Sequence, residues 1–384
     1  MQAEVLVVGA GAAGVDTAAA LRQELPNSNV ILVSPDAELL YRPWLVYLPV
    51  NAVPYRSMAM PLADIASRYG FTYKQASVRA VQPDENRVIL ESGDEISYRY
   101  LVLTPGAPAD RNRIPGAAEH ALFPCDAPEA MRFISRVGQL TNGTVHIILT
   151  GERIGPGLEY AGWLGRALRE TSERSVRVVL LDDADAMDKQ FGAKAAARLQ
   201  SILRSRGVEV VRNVRVDKIR FGQVVLDDGS PHSADLIAIT SPLRGPDLGL
   251  PVEVLDDRAM VKVDRCLRML SHGNVFAAGD FANIDGSNFP KTWLMARMQA
   301  QVAVRNVAAA LSGGAPRDLN MRKFKRAASL SMPDVGGTTL FVRNRRPVFA
   351  GRWPLEIRYR MDAKYLGRYR MERDVTRPHF ISSS

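Results

Sequence analysis

The chain has 384 residues, 46% of them hydrophobic and 24% charged, with a formal net charge of +9. It reads as a globular chain with material for two or three cores, at about 150 residues per domain. No apolar run reaches the roughly 18 residues a spanning helix needs, and the N-terminus enters a strand without a signal-peptide layout. A cytoplasmic chain without a transmembrane segment is therefore expected. Only Cys125 and Cys266 are present, far apart, and His120, His146, His232, His272 and His379 lack ligand spacing, so neither a disulfide framework nor a metal site is expected.

The charge is localised. Sixteen Lys/Arg face six Asp/Glu between Arg317 and Arg377, which leaves everything before nearly neutral. Such a segment suits phosphates, acidic lipids or an acidic partner.

In chain order, the apolar run Val5 to Val8 leads into Gly9-Ala-Gly11-Ala13 and Gly14, with an alanine-rich helix from Val15 to Leu25 and a second strand from Asn29 to Ser34. This is a βαβ unit with a GxGxxG turn: Gly9 permits the turn, Gly11 lets a pyrophosphate approach the backbone, and Gly14 lets helix and strand pack closely. A Pro/Tyr/Met-rich stretch from Tyr41 to Pro61 predicts helical structure. Phe71 to Val81, Arg87 to Leu90 and Glu95 to Tyr98 predict a small antiparallel meander, and Tyr100 to Thr104 a buried strand ending at the turn Thr104-Pro105-Gly106.

From about Pro115 the pattern restarts. Val145 to Thr150 is a strand, residues 151–157 a glycine turn, Leu158 to Thr171 a helix, and Arg177 to Leu181 a strand. The helix Ala193 to Arg206, the strand Val208 to Val211, the hairpin Val216 to Leu226 and the strand Asp235 to Thr240 complete the second unit. Asn274 to Asp280 is a further strand and turn before a helix from Thr292 to Leu311. Strands alternating with helices imply parallel sheets with covered faces, hence an α/β fold of two Rossmann-like units. The expected domains are 1–114 with 246–320, then 115–245, then a basic segment 321–384.

Taken together, GAGAAG, Thr104-Pro105-Gly106 and Phe276-Ala-Ala-Gly279-Asp280 resemble, in order, the motifs of the pyridine nucleotide-disulfide oxidoreductase superfamily. The resemblance implies FAD, with Gly9, Gly11, Ala13 and Gly14 at the pyrophosphate, Val78 by the adenine, and Asp280 at the ribityl or pyrophosphate part. Thr104, Gly106 and Gly279 complete that cofactor shell. Ser34 stands where an acidic residue usually binds the adenosine ribose; its hydroxyl is a weaker partner, and Asp36 follows two residues on.

Two branches look nearest, sulfide:quinone oxidoreductases and type II NADH dehydrogenases. Leu40-Tyr41-Arg42-Pro43-Trp44 resembles the aromatic-x-Pro stretch of both, which brings Arg42 into the expected cofactor shell. Pro290-Lys291-Thr292 resembles the sulfide branch, where Lys291 would steady negative charge on the reduced ring. Glu159 fits a proton relay in either, as a carboxylate whose pKa burial raises. Each branch also departs: the paired cysteines that sulfide oxidation needs are missing, with Cys125 a lone candidate and Ser329 near the C-terminal position. For a dinucleotide at the second turn, Glu152 and Ile154 replace two glycines, Asp182 would meet a ribose hydroxyl, and Leu294 and Met298 replace paired glutamines.

The segment Trp353 to Met371 reads as an amphipathic helix, with Leu355, Tyr359, Asp362, Leu366 and Tyr369 on one face and Arg358, Arg360, Lys364, Arg368 and Arg370 around it. It suits an interfacial anchor at the inner face of the cell membrane, or packing on the body or on a second copy of the chain. No nucleic-acid motif accompanies the charge.

The expectation is a FAD-dependent oxidoreductase passing two electrons from a small-molecule donor to a quinone-like acceptor. NADH is the alternative donor and second cofactor, sulfide a third, and a non-catalytic flavin-binding or redox-sensing protein the reading from a different class.

Overall fold

The structure, a computed structural model, describes residues 1–50, 53–170, 174–240, 242–285 and 287–370. Parts of four expectations fall outside these residues: 51–52 of the Tyr41–Pro61 stretch, the helix end at Thr171, the amphipathic helix end at Met371, and the last part of the basic segment.

The apolar run forms the strand Gln2–Val8, in which Val5, Leu6 and Val7 are fully buried. It runs parallel between Val30–Ser34 and Glu95–Leu103. Buried on both faces, such a strand needs its continuous Val/Leu composition. The sheet continues on one side to Thr72–Gln75 and on the other to His272–Ala277, both parallel, then to the short strands Arg268–Met269, Val261–Val263 and Ala282–Ile284. Segments nearly 170 residues apart in sequence thus share one sheet. A second sheet is wholly parallel, in the order Val208–Val214, Ser175–Asp183, Asn142–Leu149, Leu236–Thr240. A small antiparallel sheet over 216–233 packs beside it.

Two strand readings are corrected. Phe71 to Val81 does not enter the meander as one strand: Thr72–Gln75 pairs parallel with Val30–Ser34, and only Val78–Gln82 turns back against Arg87–Leu90. Alternation alone carries no sign of strand direction, so a buried parallel edge and a hairpin arm look alike. Glu95 to Tyr98 and Tyr100 to Thr104 are a single strand, Glu95–Leu103, exposed and alternating at its start and buried at its end.

Four short strands between 330 and 351 and the helix Arg352–Tyr369 close the described chain. Of the arrangements expected for this helix, the described residues show packing on the body. Its apolar face is packed on the body, with Leu355, Tyr365, Leu366 and Tyr369 buried. Asp362, the one acid on that face, accepts from the Tyr41 hydroxyl and, at 2.9 Å, from the Trp44 indole N–H. The Tyr369 hydroxyl donates to Asp16, which also pairs with Arg297 at 2.8 Å. Tyr41, Trp293 and Tyr365 meet edge to face or tilted, with centroids 4.7–5.6 Å apart, and Arg297 lies 4.6 Å over the Tyr365 ring. No helix among the described residues is long and apolar enough to cross a membrane.

Asp362→Ala leaves the Tyr41 hydroxyl and the Trp44 N–H buried without their acceptor, which should cost about 2–4 kcal/mol. Equilibrium urea unfolding measures this; an unchanged midpoint would mean that the helix is held by its apolar contacts alone.

Candidate functional site

A cavity of about 960 Å³ lies where the two units and the C-terminal helix meet. Its first wall is the glycine turn after Gln2–Val8. Gly9 adopts φ +100°, and a Cβ there would sit 2.4 Å from the Thr104 carbonyl oxygen. At Gly11 an added Cβ would meet nothing within 4 Å, because it would point into the cavity. The following helix, Ala12–Glu24, has no side-chain cap, so its first N–H groups are open to an anion. The Thr104 hydroxyl holds the turn, bonding the carbonyls of Val8 and Gly9 at 2.9 Å each. This cradle fits the pyrophosphate of a dinucleotide, and FAD is the group the sequence motifs point to.

Almost every expected cofactor residue faces this cavity: Gly9, Gly11, Ala13, Ser34, Arg42, Val78, Thr104, Gly106, Gly279, Asp280 and Lys291 all line it. Gly14 does not. It packs behind the turn, where a Cβ would fall 1.8 Å from the Gly9 carbonyl oxygen. The Ser34 hydroxyl is engaged in a local turn with Asp36, accepting its N–H at 3.3 Å, while Asp36 and Glu38 also line the cavity and bring carboxylates where a ribose needs acceptors. Gly279, at φ +82°, donates its N–H to the Gln299 side chain at 2.7 Å, and Asp280 lies 3.9 Å from Arg153. Lys291 donates to the Ala282 carbonyl at 2.7 Å, and burial pushes its ammonium below the usual lysine range, opposed chiefly by Asp280.

Glu159 also lines the cavity, where it is paired rather than isolated. Its two oxygens bind the guanidinium of Arg358 from the C-terminal helix, one of them at 3.1 Å. It also accepts the Asp334 backbone N–H at 3.0 Å. Burial raises two carboxyls that adjoin the pair, Asp334, pushed up to about 6, and Asp362, each against the lowering effect of Arg358. Sequence reading placed Arg358 on the outer basic side of its helix and so missed it as a cavity residue. Asp362 in the middle of the apolar face was the available signal, since a buried acid there implies buried polar partners on the body.

The second glycine turn behaves differently. Glu152 pairs with Arg258, and Glu152, Arg153, Gly155 and Pro156 all line the first cavity. The Ile154 N–H is taken by the Gln190 side chain at 3.2 Å. Asp182, expected to meet a ribose, is fully buried and bonded to the Met187 N–H at 2.9 Å and to Arg212 at 3.1 Å. It offers no free carboxylate. Neither cysteine lines the cavity, and burial pushes the Cys125 thiol up. Leu294 lines the cavity and Met298 does not; Ser329, near where a second cysteine would fall, bonds the Arg326 carbonyl instead. Among the described residues no group of His, Cys, Asp or Glu could hold a metal ion.

Two substitutions separate cradle from scaffold. Gly11→Val should yield protein purified without flavin colour but with the unfolding midpoint of the flavin-free wild type, whereas Gly14→Ala should lower that midpoint as its Cβ displaces the Gly9 carbonyl. The raised Asp334 carboxyl gives a third expectation. Its protonated form contributes stability that is full below about pH 4 and lost as pH rises through about 6. Asp334→Asn keeps an acceptor for the Gly337 N–H, so its unfolding free energy should gain on the wild type across that window and then level off; parallel curves would contradict the assignment.

The family model described as pyridine nucleotide-disulphide oxidoreductase matches residues 3–304. A mitochondrial sulfide:quinone oxidoreductase of Mus musculus is 29% identical over 303 residues, 74% of this chain and 66% of that protein. An NADH dehydrogenase-like protein of Mycobacterium tuberculosis is 27% identical over 290 residues, 72% of each chain. Among solved structures, the sulfide:quinone oxidoreductase of Aquifex aeolicus superposes with a TM-score of 0.83 at 22% identity, covering 99% of this chain and 92% of that one, which shows a shared fold. With the match spanning the glycine cradle, both sheets and the long helix behind Lys291, the chain belongs to the pyridine nucleotide-disulphide oxidoreductase family.

Proposed function

We propose that the protein is a FAD-dependent enzyme that passes two electrons from a small reductant to a quinone-like acceptor. The observation that carries this reading is that one cavity is lined both by the GAGAAG cradle and by the apolar side chains Leu330, Met332 and Met361, two of them exposed and so taken as its mouth, with the Glu159–Arg358 pair in its wall. When bound, FAD supplies the two-electron carrier chemistry. Gly9, Gly11, Ala13 and the helix N-terminus hold its pyrophosphate; Val78, Asp36 and Ser34 form the adenosine side; Thr104, Gly106, Gly279, Asp280 and Arg42 complete the shell. Lys291 lines the cavity and would offer its ammonium to negative charge developing there.

An apolar mouth with a charged pair behind it suits a planar, lipophilic acceptor whose oxygens need a proton or a hydrogen bond as they gain electrons. Arg358 donates; Glu159 orients it. Near the mouth, the outer side of the C-terminal helix exposes Trp353 at 70% and Met361 together with Arg360 and Lys364, and Val348 and Phe349 are exposed on the preceding strand. We take this rim, rather than the whole helix face, as the part that rests on the inner membrane surface.

The donor is assigned by exclusion of partners on the second turn. With Asp182 consumed by Arg212 and Glu152 by Arg258, NADH has few of its usual contacts. A sulfide mechanism lacks its second cysteine and finds the Cys125 thiol hard to ionise. A small reductant acting directly at the cavity fits both facts.

Anaerobic mixing of the flavin-loaded protein with NADH, NADPH, sulfide or a panel of other small reductants such as thiols, followed by a short-chain quinone, tests this. Flavin bleached by a small reductant and restored by the quinone is the expected result; rapid bleaching by NADH favours the dehydrogenase reading, and no bleaching by any donor favours a non-catalytic flavoprotein. Glu159→Gln should slow the quinone step by about 10²-fold, the scale of a misplaced positioning group, at unchanged flavin content. An unaltered rate would remove the pair from the reaction.

A further inference from the structure

A second cavity, of about 640 Å³, lies on the far side of the helix Gly155–Arg169 and shares no lining residue with the first. Four arginines converge on it: Arg166 and Arg169 from the last turn of that helix, Arg206 just after the helix Ala193–Ser205, and Arg352 at the start of the C-terminal helix. Glu170 is the one carboxylate among the lining residues, and it pairs with Arg166 at 3.0 Å. The lining therefore carries three positive charges in excess.

Two of the guanidinium groups are oriented by neutral acceptors. Arg169 donates to the Ser205 carbonyl at 2.6 Å, and Arg206 to the Thr338 hydroxyl at 2.8 Å. The Nε of Arg206 is buried and has no hydrogen-bond partner. Burial, with the neighbouring Arg166 and Arg169, pushes the Arg206 guanidinium below the usual arginine range against the opposing charges of Asp334 and Glu170, as in a cationic cluster whose charge is only partly balanced. Two helix C-termini account for part of the attraction, because their carbonyls favour cations. They supply no acceptor to the Arg206 Nε and do not account for Arg352, which sits at a helix start.

We propose that this cavity binds a phosphate-type oxyanion, either free or as the phosphate of a larger molecule. Planar guanidinium forks match the tetrahedral oxygens of phosphate, and one multiply charged anion would relieve the mutual repulsion of four cations. The site adjoins the electron-transfer cavity through one turn. Gly337 and Thr338 line it, while Asp334, four residues from Thr338, donates its N–H to Glu159. An occupant bound beside the Arg206–Thr338 hydrogen bond would steady the turn that seats Glu159.

The test uses the flavin-loaded full chain. Thermal unfolding is followed against inorganic phosphate and pyrophosphate at constant ionic strength, with sodium chloride as reference. A saturable rise in midpoint for the oxyanions, weakened at least tenfold in apparent affinity by Arg206→Gln, is expected. Should that variant fold poorly, Arg352→Gln, an exposed position, must show the same weakening. Flotation with phosphatidylcholine vesicles, with and without phosphatidic acid, identifies the source. Flotation that needs the acid lipid, is competed by pyrophosphate and is lost in Arg352→Gln assigns a lipid headgroup; a saturable response without flotation assigns a free phosphate compound. Equal midpoints in chloride and phosphate, or an Arg352→Gln response identical to wild type, would overturn the proposal.

Discussion

The Glu159–Arg358 pair is the contact on which the rest of the architecture turns. A carboxylate and a guanidinium that are both largely removed from water are stable only together, because separation would leave either charge buried without compensation. Glu159 comes from the first turns of the helix in the second unit, and Arg358 from a helix nearly 200 residues later. Their union therefore fixes the C-terminal helix over the cavity. The Asp362 and Asp16 contacts repeat the device along the same helix, each placing a buried acid between the body and a residue of the lid or its supports.

That arrangement explains why one glycine turn is kept as a cradle and the other is not. At the first turn, Gly11 faces open cavity and the helix behind it begins without a side-chain cap, so nothing competes with an incoming pyrophosphate. At the second, Gln190 takes the Ile154 N–H, and Glu152 and Arg153 point their charges into the first cavity. Gly157 alone keeps the packing role, since a Cβ there would fall 2.4 Å from Leu149. The second unit has become a wall of the first unit's site. Its helix now supplies Glu159 and, at its far end, two of the four arginines around the second cavity.

The first βαβ unit, the second unit's strands and helices, and most cavity residues were legible because each rests on local rules: apolar strand runs, glycine at strained or crowded positions, and helix periodicity. What escaped had a long-range cause. The parallel placement of Thr72–Gln75 depends on a partner some forty residues earlier, and alternation does not encode it. Arg358 was assigned to solvent because helix periodicity ranks side chains by polarity, whereas burial here follows pairing with Glu159. For the same reason the C-terminal helix suggested an anchor: an amphipathic face states that something apolar covers it, and only the fold says whether that is lipid or protein. Ser34, expected at the adenosine ribose, lines the cavity, yet its hydroxyl is turned into a local bond with Asp36, which periodicity cannot foresee.

The lid also bears on how electrons can leave. Tyr41, Trp293 and Tyr365 form a dense aromatic layer between the Asp16 and Asp362 contacts, and the helix buries that side so thoroughly that no acceptor could enter there without unpacking it. Leu330 and Met361 are exposed and, with Met332 and Arg358, line the cavity, so a path past them avoids that layer. An acceptor coming in by that path meets apolar surface first and charge second. A lipophilic ring with polar oxygens satisfies that order; a dinucleotide, with its phosphates and ribose hydroxyls, does not.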